Sequence, residues 1–441
     1  MIRFIADYLR ALRLFSNDVR MYLLADALIG LSFSGFVGVL LNLYLLRLDY
    51  GSEFIGLVNG GAALVFALSA LPAGAIGDRW GYRRTVVTGV TFISTGTIVL
   101  PLAEFFPGSG QDVGILVSRS LSGLGFALYF VNSTPYLVAA TEPQERDYVF
   151  SMLIAVGPLA GFIGSLIAGI LPDVFANSLD RTLDHPAPFR YSLILAGLLL
   201  VPAIFGILAT QGIVVANRST EGEPYPNDRP NPQVSHNAKA DTFPYILIGF
   251  LALTGLLRVA GEGAARTFFN VYLDVGLSES TRRIGLLTAI GQLLAAPAAL
   301  AAPFLVKRVG KIAAIALSTL AAAIGLVLMG LIPHWAVVGL GFMGVVGMQA
   351  ITQPIVSVVQ MEIVPPRWRG TTSGVISMAM GMGFGLVALG GGYVIPVLGY
   401  AGLFLATAGF VAFGAALFWI YFRVPRGEYA RLEYGQPQTM T

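Results

Sequence analysis

Twelve apolar runs dominate this chain, at roughly 21–46, 54–76, 84–106, 113–140, 148–172, 190–214, 244–273, 283–306, 312–333, 335–362, 371–396 and 400–423. A hydrocarbon core about 30 Å thick is crossed by ~20 residues of helix. Open strands would leave backbone amides unpaired in lipid, and a barrel would alternate polar and apolar residues. The runs therefore predict an all-α integral membrane protein with twelve transmembrane helices. Charged residues make up only 12% of the 441 positions, about half the ~25% of a soluble domain. The mean hydropathy is +0.75. The 53 glycines suit helices that approach closely in a membrane.

Residues 1–20 do not read as a signal peptide, because Arg3, Asp7, Arg10 and Arg13 interrupt any apolar core. Ile2, Ile5, Leu9, Leu12 and Phe15 recur at helical spacing instead, which predicts a cytoplasmic interfacial amphipathic helix. Lys and Arg set the orientation: nineteen fall on the side of the termini, five on the other side and three (Arg119, Arg258, Arg266) inside spans. Both termini are expected in the cytoplasm and the protein in the plasma (inner) membrane. The basic pI reflects this asymmetry and gives no reason to expect nucleic acid.

The chain has no cysteine. Its three histidines, His185, His236 and His334, lie far apart beside loops or membrane edges, so a metal centre or a membrane-embedded enzyme is not expected. No GxxxxGK[ST] phosphate loop is present, which argues against ATP as the direct energy source. No cofactor is predicted.

Residues 216–243, with Pro224, Pro226, Pro230 and Pro232, read as a solvated cytoplasmic linker. The two sides of it are related. Asn42-Leu43-Tyr44-Leu45 matches Asn270-Val271-Tyr272-Leu273, Ile55-Gly56-Leu57 matches Ile284-Gly285-Leu286, and Gly81 matches Gly310. Gly157, Gly161 and Pro172 match Gly381, Gly385 and Pro396. One six-helix unit used twice is implied, as bundles 21–215 and 244–425, with a cytoplasmic tail at 426–441. Two such repeats around a central site are a transporter architecture.

Gly74-Ala75-Ile76-Gly77-Asp78-Arg79-Trp80-Gly81-Tyr82-Arg83-Arg84 joins spans two and three. It resembles the signature loop of the major facilitator superfamily, with Tyr82 in place of a usual basic residue. The resemblance implies the twelve-helix major facilitator fold and a conformational latch of Gly74, Asp78, Arg79, Gly81 and Arg83. In the family the acid contacts the start of span eleven, here near Gly370, Thr371 and Thr372, and holds the cytoplasmic side shut. Gly74 and Gly81 are read as sites of tight packing and a sharp turn. The second copy, Lys307-Arg308-Val309-Gly310, lacks the acid. The bland alternative is a positive-inside loop.

Arg119 followed by Gly123-Leu124-Gly125 resembles the family's span-four signature, although Ser122 stands where many members have Gln. The resemblance implies substrate or proton coupling; a structural bridge is the competing reading. Gly157-Pro158-Leu159-Ala160-Gly161 partly resembles the helix-bend motif of drug/proton antiporter-type exporters, with Phe162 and Leu153 departing from it. An ordinary kink is the alternative. Beyond those segments, Val364-Pro365-Pro366-Arg367-Trp368-Arg369-Gly370 also resembles a family loop.

Arg258, Glu262 and Arg266 share one face of span seven at i, i+4 and i+8. They read either as a substrate or coupling site, or as a self-neutralising ladder in which Glu262 bonds both arginines. Asp26 in span one is a further coupling candidate, or a local partner of a nearby arginine. The leading expectation is a secondary active transporter, a proton-coupled exporter of small amphipathic compounds acting as a monomer. A facilitator or symporter of a metabolite or lysophospholipid stays open, as does a non-transporting receptor or channel.

Overall fold

The computed structural model describes residues 16–141, 145–210, 245–364 and 368–423. The expected amphipathic helix up to residue 15, the linker at 216–243, the tail at 426–441, and Pro365, Pro366 and Arg367 lie outside the described residues, as does His236. The helices are α1 (Asn17–Arg47), α2 (Ser52–Trp80), α3 (Tyr82–Phe105), α4 (Ser109–Ala140), α5 (Arg146–Leu179) and α6 (Ala187–Ala209). The second half holds α7 (Tyr245–Gly276), α8 (Thr281–Val309), α9 (Lys311–Leu331) and α10 (Trp335–Ile363). One continuous stretch, Arg369–Phe422, follows.

That stretch of 54 residues would be about 80 Å long as one rod, far more than a bilayer needs. It turns back at Gly399, where φ is 69° and ψ 179°. It is therefore two helices, α11 (369–398) and α12 (400–422), giving twelve crossings and placing both described chain ends on one face. That face is the terminal face below, and the other is the distal face. No strand occurs among the described residues.

The turn between α2 and α3 is made at Gly81 with φ 90°, and its repeat partner Gly310 turns between α8 and α9 with φ 81°. A side chain at either position would be strained. Sequence reasoning put a second close approach at Gly74. The structure puts it at Gly77, where an added Cβ would lie 1.7 Å from Asn132 Oδ1, whereas at Gly74 it would meet Val131 at an ordinary 3.6 Å. Asn132 donates to Ala73 O at 3.0 Å, so a polar bond between α2 and α4 fixes the spacing.

The buried apolar residues show how the halves meet. Toward the distal face one cluster is shared by both, running from Phe36, Leu40, Leu43 and Ile55 to Phe268, Phe269, Leu273 and Phe342. Toward the terminal face each half has its own. Val19, Tyr22, Val86, Tyr136 and Ile207 form one; Leu251, Ile315, Ile355, Ile363 and Phe418 form the other. The halves share one apolar core at the distal end and keep separate cores at the terminal end.

Candidate functional site: the cleft between the halves

The distal seal is built by repeat-related residues. Asn42 Nδ2 donates to Thr267 O at 2.7 Å, and its counterpart Asn270 Nδ2 donates to Gly38 O at 2.6 Å. Each asparagine thus satisfies backbone of the opposite half. At the ends of α1 and α7, Arg47 makes a bidentate pair with Asp274 at 2.7 and 2.8 Å. Its Nε donates to Leu183 O at 2.9 Å. Ser52 Oγ donates to Gly392 O at 2.9 Å. Gly169 faces Gly285, and Gly60 faces Gly385, at distances that leave no room for a Cβ.

On the terminal side contact thins out. α2 and α11 touch down to Leu71 and Gly374. α5 and α8 touch at Gly161, where Gln292 of α8 crosses to donate to Ser34 O at 2.9 Å and Ser165 Oγ at 3.0 Å. At Gly157 an added Cβ would meet Asp26 Oδ2 of α1 at 3.5 Å and no atom of α8 within 4 Å. The helix runs unbroken through Pro158. Of the glycines in this motif Gly161 makes room, admitting Gln292; the close approach at Gly157 depends instead on Gly30 of α1, where an added Cβ would lie 2.5 Å from Gly157 O.

Among the described residues the latch acid has no hydrogen bond to α11. Asp78 is exposed and accepts from the Tyr82 hydroxyl at 2.8 Å. Thr372 Oγ1, in the first turn of α11, is buried without a hydrogen-bond partner. Tyr82, the departure from the family's basic residue, is thus the group that holds the acid. Arg83 donates from Nε and Nη2 to Ile207 O and Leu208 O, capping the end of α6, where a cation suits the helix dipole. Arg79 is exposed.

Between the seal and the open end lie the charged candidates. In α1, Asp26 accepts from the Tyr129 hydroxyl of α4 at 2.6 Å, so its partner is a tyrosine rather than an arginine. Arg119 of α4 lies over the Phe33 ring at 5.1 Å, and its buried Nε has no hydrogen-bond partner. Among the described residues no acid bridges to it. Phe33 and Phe126 stack at 5.0 Å, and Phe126 and Phe130 at 5.9 Å.

In α7 the three charges divide. Arg266 Nε donates to Glu262 Oε1 at 2.7 Å. Arg258 turns away, donating to Gln349 at 2.9 Å and Gln353 at 3.3 Å on α10. Glu262 therefore bonds one arginine, and the ladder joining both is not present. The ladder failed because α10 offers Arg258 two amide acceptors one helical turn apart. Gln349 and Gln353 stand at i and i+4 in a span whose first fourteen residues are all apolar or glycine, and that spacing was the available sign. Tyr129, Gln292 and the Arg47–Asp274 pair were also missed. For them only polarity within a span, or at its end, was visible.

The described histidines do ordinary work: His185 Nδ1 accepts from Ala187 N, and His334 Nδ1 from Ala336 N. No cluster suited to a metal occurs among the described residues.

Two six-helix halves with a polar cleft sealed at one face define a membrane carrier. The sequence pattern of the Major Facilitator Superfamily matches residues 22–258 and 251–437, and the chain belongs to that family. It is a multi-pass membrane protein of that family. Multidrug resistance protein MdtH of Yersinia enterocolitica is 28% identical over 125 residues, which is 28% of this chain and 30% of that protein. The likeness thus spans less than a third of that relative's length. Nucleoside transporter NupG superposes with a TM-score of 0.69 at 16% identity, over 92% of this chain and 100% of that one. The xylose transporter XylE from E. coli, in an inward open conformation, superposes with a TM-score of 0.69 at 15% identity, over 95% and 100%.

Proposed function

We propose that the chain is a secondary active transporter working by alternating access, which exports small amphipathic compounds in exchange for protons. The observation that carries this reading is the one-sided closure: one apolar core shared at the distal face, two separate cores at the terminal face, and the charged residues between. A carrier needs such a site, reachable from one side at a time. The nineteen-to-five bias of Lys and Arg supports a cytoplasmic terminal face, and on that reading the cleft is entered from inside. Asp78 and Thr372 would meet when that side shuts. The likeness to a multidrug resistance protein over part of the chain supports export.

Asp26 is the proposed proton carrier. Its carboxyl lies within a span and has a hydroxyl donor, not a cation, as partner. Loading and unloading a proton there changes the charge of the cleft by one unit. One chain contains both walls, so a monomer suffices. The test is export of labelled amphipathic compounds from sealed vesicles with an imposed pH gradient. Wild-type transport driven by the gradient and lost in Asp26→Asn is expected. Movement that ignores the gradient would leave a facilitator, and conduction at channel rates would sink the carrier reading.

A further inference from the structure

Two guanidiniums lie inside the bundles without a carboxylate. Arg258 is 7% exposed, and its hydrogen-bond partners among the described residues are all neutral: Gln349, Gln353 and the Met380 sulfur, 3.7 Å from Nη2. Arg119 has the Phe33 ring and an orphaned Nε. Glu262 attracts Arg258 without touching it and is hydrogen-bonded to Arg266, while Asp26 is held by Tyr129. Amide oxygens satisfy N–H groups but do not cancel a charge, and an uncompensated charge within a membrane protein is costly. Arg also matches carboxylate and phosphate geometry in a way Lys does not.

The other wall of the cleft is aromatic. Phe66 packs on Phe126 at 5.7 Å and on Phe130 at 6.2 Å, and Phe130 is 58% exposed. The two walls adjoin. Phe66 Cδ1 lies 3.5 Å from where a Cβ on Gly381 would stand, and Gly381 follows Met380, which contacts Arg258. The aromatic cluster of one half and Arg258 of the other thus flank the same stretch of α11, Phe66 at Gly381 and Arg258 at Met380.

We propose that the cargo is an amphipathic anion. Its flat apolar body lies against Phe66, Phe126 and Phe130, and its carboxylate, sulfonate or phosphate group pairs with Arg258. This rests on the transporter reading above and narrows its substrate class. Gln349 and Gln353 hold the guanidinium in place while the cleft is empty, and the anion supplies the charge they lack. Arg119, over Phe33, adds positive potential from the opposite wall.

The test uses full-length protein in phosphatidylcholine nanodiscs with three probes of one shape: 2-naphthoate, neutral 2-naphthol and cationic 2-naphthylmethylammonium. Calorimetry should give saturable naphthoate binding at least about tenfold tighter than the ammonium, the scale of one charge-assisted contact. Arg258→Gln should weaken naphthoate about tenfold and leave naphthol unchanged. Should that variant not fold, Gln353→Glu keeps Arg258 and gives it an internal counterion; it should weaken naphthoate by a similar factor. Phe126→Ala should weaken naphthol and naphthoate alike. Unchanged naphthoate affinity in Gln353→Glu, or tighter binding of the ammonium, would overturn the proposal. Failure of the wider reading looks different. Cation pumped by a pH gradient would sink the anion and keep coupled transport. Naphthoate bound as expected but moved only down its own gradient would keep the anion and sink proton coupling.

Discussion

At the residue scale, what matters is which buried charges have a charged partner. Removing one member of a buried ion pair usually costs several kcal/mol because the other is stranded. Arg119 has no such partner, only a ring at 5.1 Å, and a desolvated cation–π contact is worth about 2 kcal/mol. Arg119→Ala should therefore leave expression and melting temperature close to wild type while gradient-driven transport is lost. Full transport by that mutant would make the residue structural. Glu262 differs, because its partner Arg266 is 42% exposed at the side chain. A pair that open contributes little after solvent screening, about 0–1 kcal/mol. Glu262→Gln should thus melt within a few degrees of wild type. If Glu262 also takes part in coupling, counterflow persists while gradient-driven transport fails. A large fall in melting temperature that Arg258→Gln repairs would restore the ladder that the structure does not contain. These contacts were beyond the sequence for a plain reason. Helical spacing puts Arg258, Glu262 and Arg266 on one face, but rotamer choice is decided by α10, ninety residues away.

At the element scale the order of the helices was legible and their ends less so: the span expected at 148–172 runs Arg146–Leu179. Apolar run length fixes where helices must be, and the expected break between 396 and 400 contains Gly399, where the chain reverses. The repeat offset picked out Gly81 and Gly310 as partners before their shared positive φ was visible. Close approach between helices was less legible, because small residues outnumber contacts: Gly74 and Gly77 look alike in sequence, and only the position of Asn132 separates them. The asparagine match was read as ancestry, and its use as a reciprocal clasp needed the two halves brought face to face. The turns give a direct test. A side chain at φ near 90° costs about 1–3 kcal/mol, and nothing lies within 4 Å of an added Cβ at Gly81 or Gly310. Gly81→Ala and Gly310→Ala should each lower unfolding free energy by that backbone cost alone, read by denaturant titration in detergent. Equal stability to wild type in both would show that the turns relax freely.

At the scale of the whole molecule, two latches bias one equilibrium from opposite ends. The distal latch is made here: the Arg47–Asp274 pair, with side chains only 18% and 10% exposed, joins the halves. The terminal latch is unmade: Asp78 is held by Tyr82 while Thr372 waits without a partner. A contact present in one access state shifts the balance by its own free energy and by no more. Losing a charge-assisted pair worth about 1–3 kcal/mol changes the ratio of states by roughly 5- to 150-fold. Losing an acid at a helix start, worth about 0.3–1 kcal/mol, changes it by a factor of roughly 2–5. Arg47→Ala should therefore populate the distal-open state, and Asp78→Asn should deplete it by a smaller factor. The chain has no native cysteine, so one placed at Ser34, exposed just below the clasp, reports access without background. An impermeant thiol reagent added from the distal side should label Arg47→Ala faster than wild type and Asp78→Asn more slowly. The latches lie at opposite ends of the molecule and share no partner, so their effects should add. The double mutant should fall between the two singles, nearer to Arg47→Ala because that contact is the stronger. Shifts in the same direction, or a double mutant outside the range of the singles, would show that the two ends do not act on one equilibrium.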